Sequence, residues 1–277
     1  MPAVSTASNL DVYNSDEVAS HYAGLDYLTP CERFLFETYM RQGMTVLDLG
    51  VGGGRTTPYL SNLASRYVGV DYATTMIEQC RRRFPHLDFR VAEGSHLSMF
   101  RDGSFDSVVM AFNAIDYVIP DEARRACLDE IRRVLKPEGL LIFSSHNPRA
   151  VITRANWNRE RVAAFARKLA GSSATLFSCT FATLAALRIG IAWAQRFSSS
   201  LVKLLRRLPT RAFWRGDGYL LDPAHGGLLT HYWTPERAEH ELACHGFHIR
   251  GTKGDDYPAA SHRYITDWYY YVAQKSR

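Results

Sequence analysis

Recognisable metal-ligand spacing is missing from this 277-residue chain. Its five cysteines, Cys31, Cys80, Cys127, Cys179 and Cys244, are scattered and form no CxxC pair. An odd, dispersed set fits reduced thiols and argues against a disulfide framework or a zinc site. His240-Glu-Leu-Ala-Cys244 begins like the HExxH of zinc proteases, but Cys stands where the second His is needed. The opening stretch, MPAVSTASNLDVYNSDE, has neither the basic start nor the apolar run of a signal peptide. Leu169–Leu187 is free of charge, yet Gly171, Ser172 and Ser173 interrupt it and Arg188 closes it. That makes a poor transmembrane helix and a better buried or interfacial one. Internal repeats and low-complexity tracts are absent as well. The expectation is a cytoplasmic globular protein, with contact at the membrane surface as an added possibility.

Hydrophobic content of 46% and charged content of 22% suit one large domain with a buried core. The net charge of +5 is unevenly spread. Between Arg149 and Arg215 stand thirteen Lys/Arg and the single acid Glu160, a net +12 that leaves the remainder near −7. Such asymmetry gives the basic stretch its own job or its own partner.

From Thr45 to Ser145, short apolar runs alternate with amphipathic helical stretches. Strands are expected at Thr45–Leu49, Tyr67–Val70, Asp88–Val91, Ser107–Ala111 and Leu140–Ser144. Helices are expected around Thr57–Leu63, Thr74–Arg83 and Glu122–Leu135. This order implies parallel βαβ units with helices on both faces of one sheet. Upstream, Thr29-Pro-Cys-Glu32 has the form of a capping box with proline at the first helical position. An earlier helix includes Val18 and Tyr22. Downstream, Leu201, Leu204, Leu205 and Leu208 fall at helical spacing among Lys203, Arg206 and Arg207. Thr234-Pro-Glu236 opens a further helix that Gly246 stops, and Phe247–Arg250 and Trp268–Val272 read as final strands.

The most informative segment is Val46-Leu-Asp-Leu-Gly-Val-Gly-Gly-Gly54, a strand running through a glycine loop into a helix. Glycine allows positive φ and close approach of a ligand, and the helix start offers backbone N–H groups to an anion. Asp71 ends the next strand, 21 residues beyond Gly50, where a ribose-binding acid belongs. Together these mark an adenosine cofactor without separating one kind from another. Asp48, just before the glycines, suits a cationic amino group better than a pyrophosphate.

These segments resemble the class I S-adenosylmethionine-dependent methyltransferases. VLDLGVGGG resembles that family's first motif and YVGVDYATTMIEQC its second. Phe89-Arg-Val-Ala-Glu93-Gly94-Ser95 resembles the third, with Glu-Gly in place of the usual Asp-Ala. The strand Phe105–Phe112 and the turn Lys136-Pro-Glu-Gly139 resemble the fourth and fifth elements. Tyr232-Trp-Thr-Pro-Glu-Arg and His245-Gly-Phe247 resemble the penultimate helix and strand. The resemblance implies an α/β fold with a seven-stranded, mostly parallel sheet whose last strand is antiparallel. It also implies S-adenosyl-L-methionine as cofactor. Asp48, Gly50, Gly52 and Gly54 would hold the methionine end, and Asp71 would bind the ribose with Tyr72 and Met76 nearby. Glu93 and Gly94 would frame the adenine, Phe112 and Asn113 would face the sulfonium, and Tyr22 would lie on a helix over the cofactor.

The implied domain plan has N-terminal helices in 1–40, a core in 41–147 and 222–277, and a helical basic insertion in 148–221. The insertion would form a lid over a small-molecule acceptor, be it a natural product, a sugar or a lipid-linked compound. A membrane-surface face is the next reading, and a nucleic-acid surface ranks last because no cationic-aromatic groove is evident. Oxygen is the expected accepting atom, and it needs a base, for which histidine is best matched near neutral pH. His146, just beyond the fifth strand, is the first candidate, followed by His231 and His225. Asp116 and Tyr117 could orient substrate, with a helix cap as the other reading of Asp116. Asn113-Ala-Ile-Asp does not resemble the aromatic-ended motif of base amino-methyltransferases, and Cys31 reads as helix structure, not as a nucleophile. Two readings from other classes are an NAD-binding oxidoreductase and a non-catalytic membrane-associated module.

Overall fold

The computed structural model describes residues 9–150, 183, 215–222 and 228–277. The charge-free run at Leu169–Leu187, the leucine-spaced helix near 201–208 and His225 therefore lie outside the described residues.

Three helices precede the sheet: α1 (Asn9–Tyr13), α2 (Asp16–Ala23) and α3 (Pro30–Tyr39). There follow β1 (Thr45–Leu49), α4 (Thr57–Leu63), β2 (Arg66–Asp71), α5 (Thr74–Arg83), β3 (Asp88–Val91) and β4 (Phe105–Met110). A 3₁₀ turn (Ala114–Tyr117) leads to α6 (Asp121–Val134) and β5 (Leu135–His146). The chain then supplies β6 (Asp217–Asp222), β7 (Leu228–Trp233), α7 (Pro235–Cys244), β8 (Phe247–Gly254) and β9 (Trp268–Lys275).

Seven strands form one sheet in the order β3-β2-β1-β4-β5-β9-β8. β1 to β5 are parallel, and β9 enters antiparallel between β5 and β8. The strand order reverses beside β1, so the ends of β1 and β4 border the crevice where open α/β sheets take ligands. Side chains alternate between two apolar layers, as the pleat requires. Leu47 and Leu49 join Cys127, Leu128 and Ile131 of α6 and Leu242 of α7 on one face. Val46 joins Leu35 and Phe36 of α3, Leu60 of α4 and Ile77 of α5 on the other.

The Lys136–Gly139 turn is absorbed into β5. Phe105 pairs with Leu135 and Ser107 with Leu140, a register shift in which Glu138 takes φ 61°. A second difference concerns the expected helical insertion. Asp217–Leu221, placed at its end by the sequence reading, form a strand: β6 pairs with β7 in a separate antiparallel hairpin, Tyr219 opposite His231. Gly216, just before the strand, has φ 74°, a backbone conformation that favours glycine. Among the described residues, no helix is long and apolar enough to cross a membrane.

α3 is tied to the glycine loop. Thr29 and Glu32 form a reciprocal capping box, and the same Glu32 carboxylate takes both ends of the Arg55 guanidinium at 2.7 and 2.5 Å. Both residues are buried. Removing one partner of such a pair leaves an uncompensated buried charge, whereas replacing both is far milder. Glu32→Gln is expected to cost about 3–5 kcal/mol in urea unfolding, and the Glu32→Leu/Arg55→Met double variant clearly less. Equal losses in both proteins would show that the pair does not hold α3 to the loop.

Candidate active site

Asp48, Gly50, Asp71, Phe112, Asn113 and His146 sit at or just beyond the ends of β1, β2, β4 and β5. In the glycine loop, the amides of Gly50 and Val51 both donate to the Val70 carbonyl, which pins β1's exit to β2. Gly50 has φ 75°, and a Cβ there would lie 2.7 Å from that of Ala114 in the 3₁₀ turn. No other residue fits. At Gly53 a Cβ would lie 2.3 Å from the Ala23 amide, so the end of α2 rests directly on the loop.

Asp71 ends β2 buried, its two oxygens accepting from the Gly52 amide at 2.8 Å and the Ala73 amide at 2.9 Å. Burial raises its carboxyl above the ordinary value, against the pull of those amides. Asp48 is fully enclosed. Thr56 and Tyr67 donate to its Oδ2 at 2.7 and 2.9 Å, while Oδ1 is buried without a partner. Burial pushes this carboxyl up to about 6. The Tyr67 contact was not read from the sequence, because a strand tyrosine looks like core.

Tyr72 presents a buried hydroxyl without a hydrogen-bond partner, beside Asp71. Met76 is buried with Ala19 and Ala73, and Tyr13, Val18 and Tyr22 pack over this group. Tyr13 stands at 6.0 Å from Tyr22, 6.2 Å from Tyr72 and 5.6 Å from Tyr117 by ring centroid. The N-terminal helices thus pack over the start of α5, beside the end of β2. Asn9 helps hold them there by donating to the carbonyls of Tyr117 and Leu229. Glu93 is exposed and takes a 3.5 Å bond from Ser95. The neighbouring Gly94 has a packing reason of its own, since a Cβ would lie 2.8 Å from the Cys127 thiol of α6.

After β4 the backbone takes an unusual path. Phe112 and Asn113 have φ 55° and 63°, a region that bulky L-residues rarely adopt. The Asn113 amide donates to Ser144 Oγ at 2.8 Å, and the Phe112 ring lies under the Arg55 guanidinium at 4.9 Å. This path delivers Asp116 beneath the end of β5. Its fully buried carboxylate accepts from Ser145 Oγ at 2.5 Å, the His146 amide at 2.7 Å and His146 Nδ1 at 2.7 Å. With Nδ1–H directed at Asp116, Nε2 presents its lone pair, here 3.1 Å from Asn113 Nδ2. Asn113 Oδ1 is buried and unpartnered. Asp116 therefore bonds and orients His146, where the sequence reading had given it substrate orientation or a helix cap.

Aromatic rings surround the imidazole: Tyr232 at 4.8 Å, Trp268 at 6.4 Å and Tyr117 at 6.5 Å. Trp268 arrives by register, directly opposite His146 in the β5–β9 pair. Tyr232 arrives from β7, and strand alternation turns its neighbour His231 to the opposite side. His231 is buried between Tyr219 and Trp233 and bonds Asp217 at 2.7 Å. That bond holds the Asp217 carboxyl below its ordinary value. The structure brings His146, Asp116, Asn113 and Tyr117 together, and it sets His231 apart from them.

Comparison with known proteins agrees with this geometry. A family model described as a methyltransferase domain matches residues 47–143. The demethylmenaquinone methyltransferase of Paenarthrobacter aurescens is 31% identical over 38% of this chain and 40% of its own length. That of Clavibacter sepedonicus is 31% identical over 49% of this chain and 56% of its own. The chain thus spans about half the length, or less, of these curated relatives. Among solved structures, an S-adenosylmethionine-dependent methyltransferase of Methanosarcina mazei aligns with TM-score 0.55 at 20% identity, covering 91% of this chain and 99% of that one. The 1,6-didemethyltoxoflavin-N1-methyltransferase of Burkholderia thailandensis, solved with 1,6-didemethyltoxoflavin and S-adenosylhomocysteine, aligns with TM-score 0.52 at 14% identity over 96% of this chain and 82% of its own. These structural likenesses speak for the fold. Residues 47–143 thus match a methyltransferase domain, set in a seven-stranded architecture similar to that of solved S-adenosylmethionine-dependent methyltransferases.

Proposed function

We propose that this protein transfers a methyl group from S-adenosylmethionine to an oxygen of a small-molecule acceptor, with His146 as general base and Asp116 as the residue that positions it. The observation that carries the reading is the bond between buried Asp116 and part-buried His146 at the carboxyl edge of the sheet. When bound, the cofactor supplies a methyl carbon already activated by its sulfonium. The chain's part is then to align the acceptor and remove its proton. The relatives named above for demethylmenaquinone are consistent with a small-molecule acceptor. The basic segment 149–215 is assigned, on its sequence alone, to the cover over that acceptor.

The cofactor fits this chain on two observations. Asp48 keeps one buried carboxylate oxygen free of any partner beside the glycine loop, which suits a ligand ammonium and repels a pyrophosphate. Asp71 retains acceptor capacity beyond its two backbone bonds, which suits the ribose hydroxyls.

The base is tested with methyl-labelled cofactor and a host extract as acceptor source. His146→Gln is expected to lower transfer by about 10²–10⁴-fold while S-adenosylhomocysteine still binds normally. Asp71→Ala should lose binding itself. Undiminished transfer in His146→Gln would end the assignment of the base.

Asp48 gives a second test, through pH. Its raised carboxyl binds a proton more tightly in the folded chain than in the unfolded one. Stability is therefore lost as pH rises from about 4 to about 6, and the penalty is complete above that window, on the order of 3 kcal/mol. Asp48→Asn, which cannot ionise, should be the more stable protein in urea near pH ~7.5, with the gain shrinking toward pH ~4. Its affinity for S-adenosylhomocysteine should fall. A stability difference independent of pH would refute the buried charge.

A further inference from the structure

We infer that Arg83, with Cys80 one turn before it on α5, is a positioning residue for cofactor binding, because the pair fixes which way the glycine-loop peptides face. The inference rests on reading the glycine loop as the cofactor's cradle, and it concerns two residues outside the loop itself.

Two successive carbonyls of the loop are held by side chains of α5. The Gly52 carbonyl accepts from the Cys80 thiol, with the sulfur at 3.1 Å, and the Gly53 carbonyl accepts from Arg83 Nη1. A trans peptide points its C=O and the following N–H in opposite directions. With the Gly52 carbonyl directed at α5, the Gly53 N–H is turned away from that helix. The other amides of the loop are already committed. Gly50 and Val51 donate to the Val70 carbonyl, Gly52 to Asp71 Oδ2 and Gly54 to the Val51 carbonyl. Facing therefore matters most at the peptide between Gly52 and Gly53.

That peptide is also the one freest to turn over. Gly52, Gly53 and Gly54 are consecutive, and glycine accepts both orientations at small steric cost. Turning over would put a carbonyl oxygen where the N–H stands, facing a cofactor rich in oxygen acceptors. The donors on α5 select against it. Both are in the state that their bonds need. Burial pushes the Cys80 thiol up to about 12, so it keeps its proton at neutral pH. Arg83 makes no ion pair with an acid among the described residues, and its guanidinium lies 4.9 Å from the Phe84 ring. Phe84 and Cys80 also back the loop directly. A Cβ at Gly54 would lie 2.9 Å from the Phe84 ring and 3.3 Å from the Cys80 sulfur.

The test reads S-adenosylhomocysteine affinity by calorimetry in paired variants. Arg83→Met keeps the apolar stem and loses the donor. It should bind about 10- to 100-fold more weakly, the worth of a hydrogen bond from a charged group. Arg83→Lys keeps a charged donor and should recover most of that loss. Cys80→Ala should weaken binding by about two- to tenfold, the worth of a neutral bond, and Cys80→Ser, which retains a donor, by less. A spectroscopic reading separates orientation from packing. In ligand-free protein carrying nitrogen-labelled glycine, the Gly53 amide resonance should move or split in Arg83→Met and return in Arg83→Lys. Native affinity in Arg83→Met, equal losses in Arg83→Met and Arg83→Lys, or a Gly53 resonance unmoved in Arg83→Met would each overturn the inference. A native chain that does not bind S-adenosylhomocysteine would strike at the cofactor reading itself and take this inference with it.

Discussion

The carboxylate of Asp116 ties the turn after β4 to the end of β5. It is fully buried, a costly place for a carboxylate unless donors surround it. All three donors come from two consecutive residues at the end of β5, the hydroxyl of Ser145 and the amide and ring of His146. The imidazole is therefore fixed in position, and Nδ1–H is the tautomer that satisfies the carboxylate. Bringing Asp116 there requires the chain to double back after β4, and it does so through two successive residues at positive φ, Phe112 and Asn113. Backbone of that kind costs on the order of 1–3 kcal/mol per residue and persists only where its surroundings over-determine it. Here they include the Ser144 hydroxyl bonded to the Asn113 amide and the Arg55 guanidinium over Phe112.

The same turn reaches the cofactor half. Ala114 follows Asn113 and presses on Gly50, so the turn after β4 and the glycine loop are set against each other by direct contact. From the other side, Arg55 leaves the loop to meet Glu32, whose second task is to cap α3. Thr29 of that cap reaches Tyr270 on β9 at 3.0 Å. Loop, α3 and the antiparallel strand are thus linked through one buried ion pair. The β9 strand in turn places Trp268 opposite His146. Distances within the site follow from strand register and two buried carboxylates, with surface contacts contributing little.

Local signals were legible and long-range ones were not. β1, β3, α4 and α5 fall where glycine spacing, apolar runs and helix caps put them, because those rules act over a few residues. The capping box at Thr29–Glu32 was readable for the same reason, but its bond to Arg55 spans 23 residues and leaves no trace in either neighbourhood. Asp116 and His146 are 30 residues apart, and an acid before a helix looks identical whether it caps or orients. The hairpin was missed because the basic, leucine-rich stretch before it carries a strong helical pattern. Its loss exchanged the histidine for the tyrosine: once β7 is a strand, alternation sends His231 inward and Tyr232 to the site.

Ten buried side-chain polar atoms lack a hydrogen-bond partner among the described residues, and three of them lie near the ends of β1, β2 and β4. Asp48 Oδ1 and Tyr72 Oη lie in the cofactor half, and Asn113 Oδ1 lies beside the base. Native chains satisfy nearly all such groups, and each one left over costs about 1–3 kcal/mol. Three of them along one edge of a sheet mean that the site is held in an unfavourable state by the rest of the fold. Relief would come from donors or cations that the described residues do not supply there, such as a ligand's ammonium or hydroxyl groups. A ligand bearing those groups binds the folded state alone and recovers the stored cost on arrival.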